Sequence, residues 1–276
     1  MKFTNLILLF ITLTAAVICF SCKNSSGDKE MGTRQTTVID PKREVTLDGN
    51  SGKRFDILTG KSTGIHFMND LRDNFQINDF RFLYEFQGSG VNIGDINGDG
   101  LQDLYFIGNV SPNKLYLNKG NLQFEDITAK SGINKLPGEW TMSSTMVDID
   151  GDGDLDIYEC LGNSPDSTKR KNRLFINNGN LTFTDKSAGS GLENNTYSTM
   201  ANFFDYDNDG DLDMYLTTHP TDFTERNTQK AFQKIEQHKN ASNRFYVNNG
   251  DGTFTEKHAA VGIDNHGYSL SVTVGD

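Results

Sequence analysis

With three cysteines in 276 residues, two of them (Cys19 and Cys22) at the end of an N-terminal apolar stretch, the chain has no disulfide framework to stabilise it. Cys160 is left alone in the body of the protein. It lies in the apolar run Leu155-Asp-Ile-Tyr-Glu-Cys-Leu161, which marks it as a small buried residue. No Lys/Arg stripe stands out, and the one basic run, Lys169-Arg170-Lys171, reads as a solvated turn, so nucleic acid is disfavoured as a partner. The histidines (His66, His219, His238, His258, His266) form no HExxH pair or cluster. There is no G-x-S-x-G elbow, P-loop or Cys/His nucleophile pattern, and the expectation is a chain without its own catalytic centre. The longest apolar stretch, Leu6 to Phe20, is too short to span a bilayer comfortably.

That stretch follows Lys2 and stops at Ser21-Cys22, after which the polar run Lys23 to Glu30 begins. A charged start, an apolar middle and a small residue before Cys resemble a bacterial lipoprotein signal. The resemblance implies removal of residues 1–21 and lipidation of Cys22, which anchors a protein to the outer membrane or cell surface without spanning it. Ordinary secretory cleavage nearby is the alternative, and both readings export the protein. Residues 22–60 read as a polar tether.

What the chain has in abundance is one acidic nonapeptide. It reads Asp95-Ile-Asn-Gly-Asp-Gly-Leu-Gln-Asp103, Asp148-Ile-Asp-Gly-Asp-Gly-Asp-Leu-Asp156 and Asp205-Tyr-Asp-Asn-Asp-Gly-Asp-Leu-Asp213. Positions 1, 3 and 5 put oxygen ligands on one side of a tight turn, Gly at position 6 permits the turn, position 7 offers its carbonyl and position 9 closes the shell. Carboxylates packed so closely repel at roughly 1 kcal/mol per pair even in water, and a cation is needed to offset this. Ca²⁺ suits the donor set better than Mg²⁺, which prefers few protein ligands and retained water. The formal charge of −11 is therefore local: 13 of the 37 acids are the Asp of these loops, leaving 24 against 26 bases. Position 12 of an EF-hand would fall on Phe106, Glu159 and Leu216, and the flanks read as strands rather than helices, so that reading fails.

A second unit repeats out of step with the first: Asn113 to Glu125, Asn172 to Thr184 and Asn243 to Thr255. Each is an apolar-aromatic strand, an Asn/Gly turn and a second alternating strand, the pattern of a β-hairpin. Small-residue corners follow at Ser131-Gly-Ile133, Ser190-Gly-Leu192 and Val261-Gly-Ile263, and Gly64-Ile65 matches them. The acidic loops begin 53 and then 57 residues apart. Val272-Thr-Val-Gly-Asp276 repeats Val91-Asn-Ile-Gly-Asp95, so Asp276 reads as position 1 of a fourth loop. Four strands per 50–70 residues predict an all-β β-propeller of four-stranded antiparallel blades, about three of them plus partial ones in an incomplete ring. The blades fall at about 91–137, 138–196 and 197–267, with the next starting at 268–276. The acidic loop joins the innermost strand to the second. The segment Asp79 to Gly90 reads as strands of an opening blade, and Thr221 to Lys239 as one inserted amphipathic helix. Asn109, Asn163 and His219-Pro220, each at the end of a second strand, are expected on an exposed rim.

Loop and hairpin recurring together over residues 61–276 resemble the FG-GAP/VCBS repeat, the calcium-binding blade also found in the propeller of integrin α subunits. The fuller pattern is similar to bacterial VCBS-repeat surface lipoproteins, including those of the ASPIC/UnbV-containing type. The resemblance implies calcium ligands at Asp95, Asn97, Asp99, Leu101 and Asp103; at Asp148, Asp150, Asp152, Asp154 and Asp156; and at Asp205, Asp207, Asp209, Asp211 and Asp213, with position 7 acting through its carbonyl. It implies a calcium-stabilised envelope scaffold for adhesion or for a protein or glycan ligand. The alternative is the non-catalytic part of a larger surface enzyme acting on glycans or lipids, a lyase or hydrolase.

Overall fold

The structure is a computed structural model, and it describes residues 56–71, 88–164, 166–219, 242–263 and 269–274. The signal segment with Cys22, the tether up to residue 55, nearly all of the proposed opening-blade strands, the inserted helix and Asp276 lie outside the described residues. Among the described residues, twelve strands make three four-stranded antiparallel sheets, each in simple up-and-down order. The first blade holds β1 (Val91–Gly94), β2 (Asp103–Phe106), β3 (Lys114–Asn118) and β4 (Phe124–Asp126). The second holds β5 (Thr141–Val147), β6 (Asp156–Leu161), β7 (Arg173–Asn177) and β8 (Phe183–Asp185). The third holds β9 (Tyr197–Phe204), β10 (Asp213–His219), β11 (Arg244–Asn248) and β12 (Phe254–Glu256). Helix among the described residues is confined to single turns, Gly60–Thr63, Thr128–Ser131 and the 3₁₀ turn Ser167–Lys169.

The register repeats with the sequence. Leu104, Ile157 and Met214, one residue past the acidic loop, pair with Tyr116, Phe175 and Tyr246, which in turn face Asp126, Asp185 and Glu256. The Asn-x-Gly turns fix the hairpins through one side chain. Asn118, Asn177 and Asn248 accept at Oδ1 from the N–H of Gly120, Gly179 and Gly250 (2.9, 3.1 and 3.0 Å). Their Nδ2 groups donate back to the carbonyls of Gln102, Leu155 and Leu212, the eighth residue of each acidic loop (2.8, 3.2 and 3.3 Å).

The cores lie between blades rather than within them. Tyr105, Ile107 and Leu115 of the first blade meet Ile157, Phe175 and Phe183 of the second. Tyr158, Cys160 and Leu174 of the second meet Ala201, Met214 and Tyr246 of the third. Each such large side chain contributes about 1.5–3 kcal/mol when fully buried. Cys160 is fully buried, and burial pushes its thiol up to about 12, so it acts as a small apolar residue.

Polar groups specify how the blades meet. The asparagines that open the hairpins, Asn113, Asn172 and Asn243, accept from the N–H of Gly108, Leu161 and Thr218 (2.9, 2.9 and 3.0 Å). They donate to the hydroxyls of Tyr105, Tyr158 and Tyr215 (3.1, 3.0 and 3.0 Å). They also reach forward to Thr141 and Ser198 at the start of the following inner strand, and to Ser269 beyond the third blade (3.5, 2.9 and 3.0 Å). The corner glycines complete the contact. Gly64, Gly132 and Gly191 all have positive φ, and a Cβ on each would lie 2.3, 3.1 and 2.2 Å from the carbonyl oxygen of Phe124, Phe183 and Phe254 in an outer strand of the next blade. Gly64 therefore does for the first blade what the other corners do for the second and third.

Two features differ from the sequence expectation. Asn109, Asn163 and His219 do not line an exposed rim: each is at least 97 % buried. Asn109 donates to the Thr141 carbonyl (3.0 Å) and exchanges hydrogen bonds with Asn69. At Asn109 the neighbouring blade covers what a single strand would expose. The second is an ionic cluster between the first two blades. Glu159 is buried and accepts from the Tyr105 hydroxyl and from Asn113 Nδ2 (2.7 Å). Lys135 donates to the carbonyls of Gly108 and Asn109, Glu139 accepts from Leu136 N–H (2.7 Å), and Arg173 pairs with Glu139 (3.6 Å) and Asp185 (2.9 Å).

Burial pushes the Lys135 ammonium down to about 8, against the pull of Glu159 and Glu139. Between about pH 8 and the ordinary lysine value near 10.4 the unfolded chain holds a proton that the folded chain has released. Stability from this group therefore rises with pH across that window. Lys135→Met should remove about one proton's worth of slope from unfolding free energy plotted against pH there. Urea titrations at several pH values check it, and parallel slopes for the two proteins would overturn it.

Candidate metal sites

Each acidic loop starts on the residue after an inner strand and ends on the first residue of the second strand, so all three connect equivalent strands of their blades. The backbone reason for the motif is visible at two positions, not one. Position 6 (Gly100, Gly153, Gly210) has φ of 83°, 96° and 95°, and position 4 (Gly98, Gly151, Asn208) has φ of 69°, 73° and 61°. Glycine adopts this left-handed region freely and asparagine tolerates it, which explains why position 4 alternates between those two residues.

The side chains divide the work. At position 1, Asp95, Asp148 and Asp205 accept at Oδ2 from the N–H of the position-6 glycine (2.7, 3.1 and 3.1 Å). At position 5, Asp99, Asp152 and Asp209 accept at Oδ1 from the N–H of position 7 (2.8, 2.9 and 3.0 Å). At position 9, Asp103, Asp156 and Asp213 are buried, and both oxygens are engaged. One accepts from the N–H of position 2 (3.0, 3.0 and 3.1 Å). The other accepts from the N–H of Asn118, Asn177 or Asn248 in the third strand (2.7, 2.8 and 2.9 Å). The ninth residue thus ties the loop to the hairpin of its own blade. Each of its oxygens keeps a lone pair for a further partner.

In the second and third loops, the carboxylates of Asp148, Asp150 and Asp152, and those of Asp205, Asp207 and Asp209, bring ligand oxygens within 4.8 Å of one another. In the first loop Asn97 takes the middle place, and its Nδ2 donates to Asp99 Oδ2 (3.0 Å). Leu101, Asp154 and Asp211 hold position 7; the Asp154 and Asp211 side chains turn toward Gly179 and Gly250 of the hairpin turns. Desolvation, followed by the charges of the neighbouring carboxylates, raises the pKa of Asp150. Desolvation also raises Asp103 and Asp213, and it pushes Asp156 up to about 7 despite its two N–H partners. Asp95 feels desolvation too, but the N–H groups of Gly100, Asn97 and Asp99 outweigh it and hold the carboxyl below its usual range.

One atom tests whether a cation fits. Asp148 Oδ1 is buried and has no hydrogen-bond partner, and the Asp148 carboxylate has an oxygen within 4.8 Å of oxygens of Asp150 and Asp152. A buried carboxylate oxygen without a donor is costly, and a hard cation with oxygen ligands is the partner this donor set suits.

Comparison with known proteins agrees with the repeat. A family model described as an FG-GAP-like repeat matches residues 95–159 and 161–216. Cartilage acidic protein 1 of Mus musculus and of Homo sapiens are each 28 % identical over 137 residues, which is 47 % of this chain and 20 % of theirs. The chain therefore spans about a fifth of the curated relatives it matches. A solved structure described as the basis of specific recognition of non-reducing terminal N-acetylglucosamine by an Agrocybe aegerita lectin aligns at TM-score 0.35 and 19 % identity. It covers 62 % of this chain and 38 % of that one. Residues 95–216, whose loop and hairpin recur in step with the blades, thus carry FG-GAP-like repeats.

Proposed function

We propose that this chain is the calcium-binding propeller portion of an exported envelope protein, anchored through Cys22 and acting as a non-catalytic scaffold for adhesion or for a protein or glycan ligand. Convergent carboxylates at positions 1, 3 and 5, with Asp148 Oδ1 buried and unpartnered among them, carry the calcium assignment. Asp95, Asn97, Asp99, Asp103 and their counterparts would hold the ions, with position 7 contributing its carbonyl. Bound there, Ca²⁺ neutralises the loops and fixes the joint between the first and second strands of each blade. Recognition then falls to surface segments carried on rigid elements. One such segment lies between β6 and β7. It exposes Asp166, Ser167 and Thr168 over a base held by buried Arg170, which donates to the carbonyls of Ser164 (2.6 Å) and Asn195 (3.1 Å).

Thermal unfolding in EDTA and in millimolar calcium tests this reading. Ligands that bind only the native state stabilise it by about 2.7 kcal/mol per site at a hundredfold excess over Kd, so the melting temperature should rise by at least several degrees with calcium. Coincident melting curves would sink the metal assignment.

A further inference from the structure

The three loops share a motif but are not equally dependent on an ion. In the first loop every side chain at positions 1, 3 and 5 is engaged by protein donors. Asp95 Oδ1 accepts from the N–H of Asn97 (3.4 Å) and Asp99 (3.2 Å), and its Oδ2 from Gly100 (2.7 Å). Asn97 Oδ1 accepts from Asp99 N–H (3.3 Å), and its Nδ2 donates to Asp99 Oδ2 (3.0 Å). Asp99 Oδ1 accepts from Leu101 N–H (2.8 Å). An amide at position 3 turns a carboxylate–carboxylate repulsion into a hydrogen bond, and Leu101 removes a further charge from position 7.

The middle loop keeps the bonds from Gly153 N–H to Asp148 and from Asp154 N–H to Asp152 but has no amide at position 3. It carries Asp at all five odd positions. Asp148, Asp150 and Asp152 crowd together, and Asp148 Oδ1 is buried with no partner. The third loop lies between them. It has the five carboxylates, but Asp205 accepts from the N–H of both Asp209 and Gly210 (3.2 and 3.1 Å). Neighbouring structure raises the stakes at the middle loop: Ile149 at its second position packs into the core between the second and third blades. Asn177, tied to Asp156, donates across to the Ile96 carbonyl in the first loop (2.9 Å).

We infer that the calcium dependence of this protein is concentrated in the middle loop, 148–156, while the first loop, 95–103, holds its shape through its own side chains and binds calcium more weakly. The inference rests on the calcium reading above and adds an order to it. Site affinity follows the number of charged ligands, and the first loop offers three carboxylate ligands where the others offer four, position 7 binding through its carbonyl. A Kd about tenfold higher at the first loop is the expectation.

Hydrogen–deuterium exchange of the full chain, read by peptide across a series of free calcium concentrations, tests it. In EDTA the amides of Gly153 and Asp154 should exchange at least about tenfold faster than in saturating calcium, while those of Gly100 and Leu101 stay protected within about twofold. Asn97→Asp is the paired variant. It replaces the internal hydrogen bond by a fourth carboxylate, and it should make protection of the first loop calcium-dependent. Equal calcium dependence of the two loops in the parent protein would overturn the inference and leave calcium binding intact. Absence of any calcium effect on all three loops would overturn both.

Discussion

Asp156→Ala is expected to lower the melting temperature by roughly 10 °C in chelator, and by more in calcium, where a ligand to the ion is lost as well. The carboxylate joins the loop to the hairpin from both sides: Ile149 N–H donates to one oxygen and Asn177 N–H to the other (3.0 and 2.8 Å). Truncation leaves two buried donors unsatisfied, at about 1–3 kcal/mol each. An offset exists, because burial disfavours the ionised carboxyl, as its pKa of about 7 shows, and alanine removes that cost. The balance is a loss of about 2–4 kcal/mol. The lost bonds are protein–protein bonds, so calcium cannot replace them. Asp150→Asn makes the contrast. Asp150 is exposed, its pKa is raised by desolvation and then by the charges of Asp152 and Asp148, and it belongs to the ion-facing cluster. Its amide should weaken calcium binding while leaving the metal-free protein as stable as the parent or slightly more so. Melting curves of both variants in EDTA and in calcium separate the two roles. An Asp156→Ala protein that melts with the parent in EDTA would show that the ninth residue is a ligand and nothing more.

That division of labour shows which features are legible in a sequence. The loops, hairpins and corners are short-range patterns, and their period yields four strands per blade and the order in which they pair. The match of Gly64 to the later corners is legible for the same reason. Long-range roles are not. Asn113, Asn172 and Asn243 are conspicuous as a repeat, but their targets Thr141, Ser198 and Ser269 lie 26–28 residues away, and nothing local names them. Glu159 stands in an apolar run, and its partner Tyr105 is 54 residues distant on another blade. Asn109, Asn163 and His219 mislead for a related reason. A polar residue ending an apolar strand reads as surface, yet in stacked sheets that end is buried. Position 4 of the acidic loops needed dihedral angles, since Gly98, Gly151 and Asn208 share a conformation rather than a residue type.

The contact between blades has its most stringent point at a corner glycine, and Gly191→Ala should be the more damaging of two near-identical substitutions. Gly191 has φ of 82° and Gly189 has φ of 87°, so alanine pays the same left-handed cost of about 1–2 kcal/mol at either site. Around Gly189 a Cβ meets nothing within 4 Å, and the backbone cost is the whole effect. At Gly191 the Cβ would lie 2.2 Å from the Phe254 carbonyl oxygen and 3.1 Å from its carbon. Those are backbone atoms of a strand that cannot rotate away, and Phe254 N–H donates to the Ser190 carbonyl beside the corner (2.7 Å). Relief requires the third blade to move off the second, which opens the core where Leu192 and Phe254 are buried. Overpacking of this kind costs about 1–3 kcal/mol beyond the backbone strain. Gly191→Ala should therefore lose about 2–5 kcal/mol where Gly189→Ala loses about 1–2. Chemical denaturation of the pair measures the difference directly, because the shared φ cost cancels. Equal losses would mean that the corner tolerates a methyl group and that the blades are joined by their cores and asparagines alone. A gap of about 1 kcal/mol or more would make the corner glycine the element that sets how closely successive blades approach.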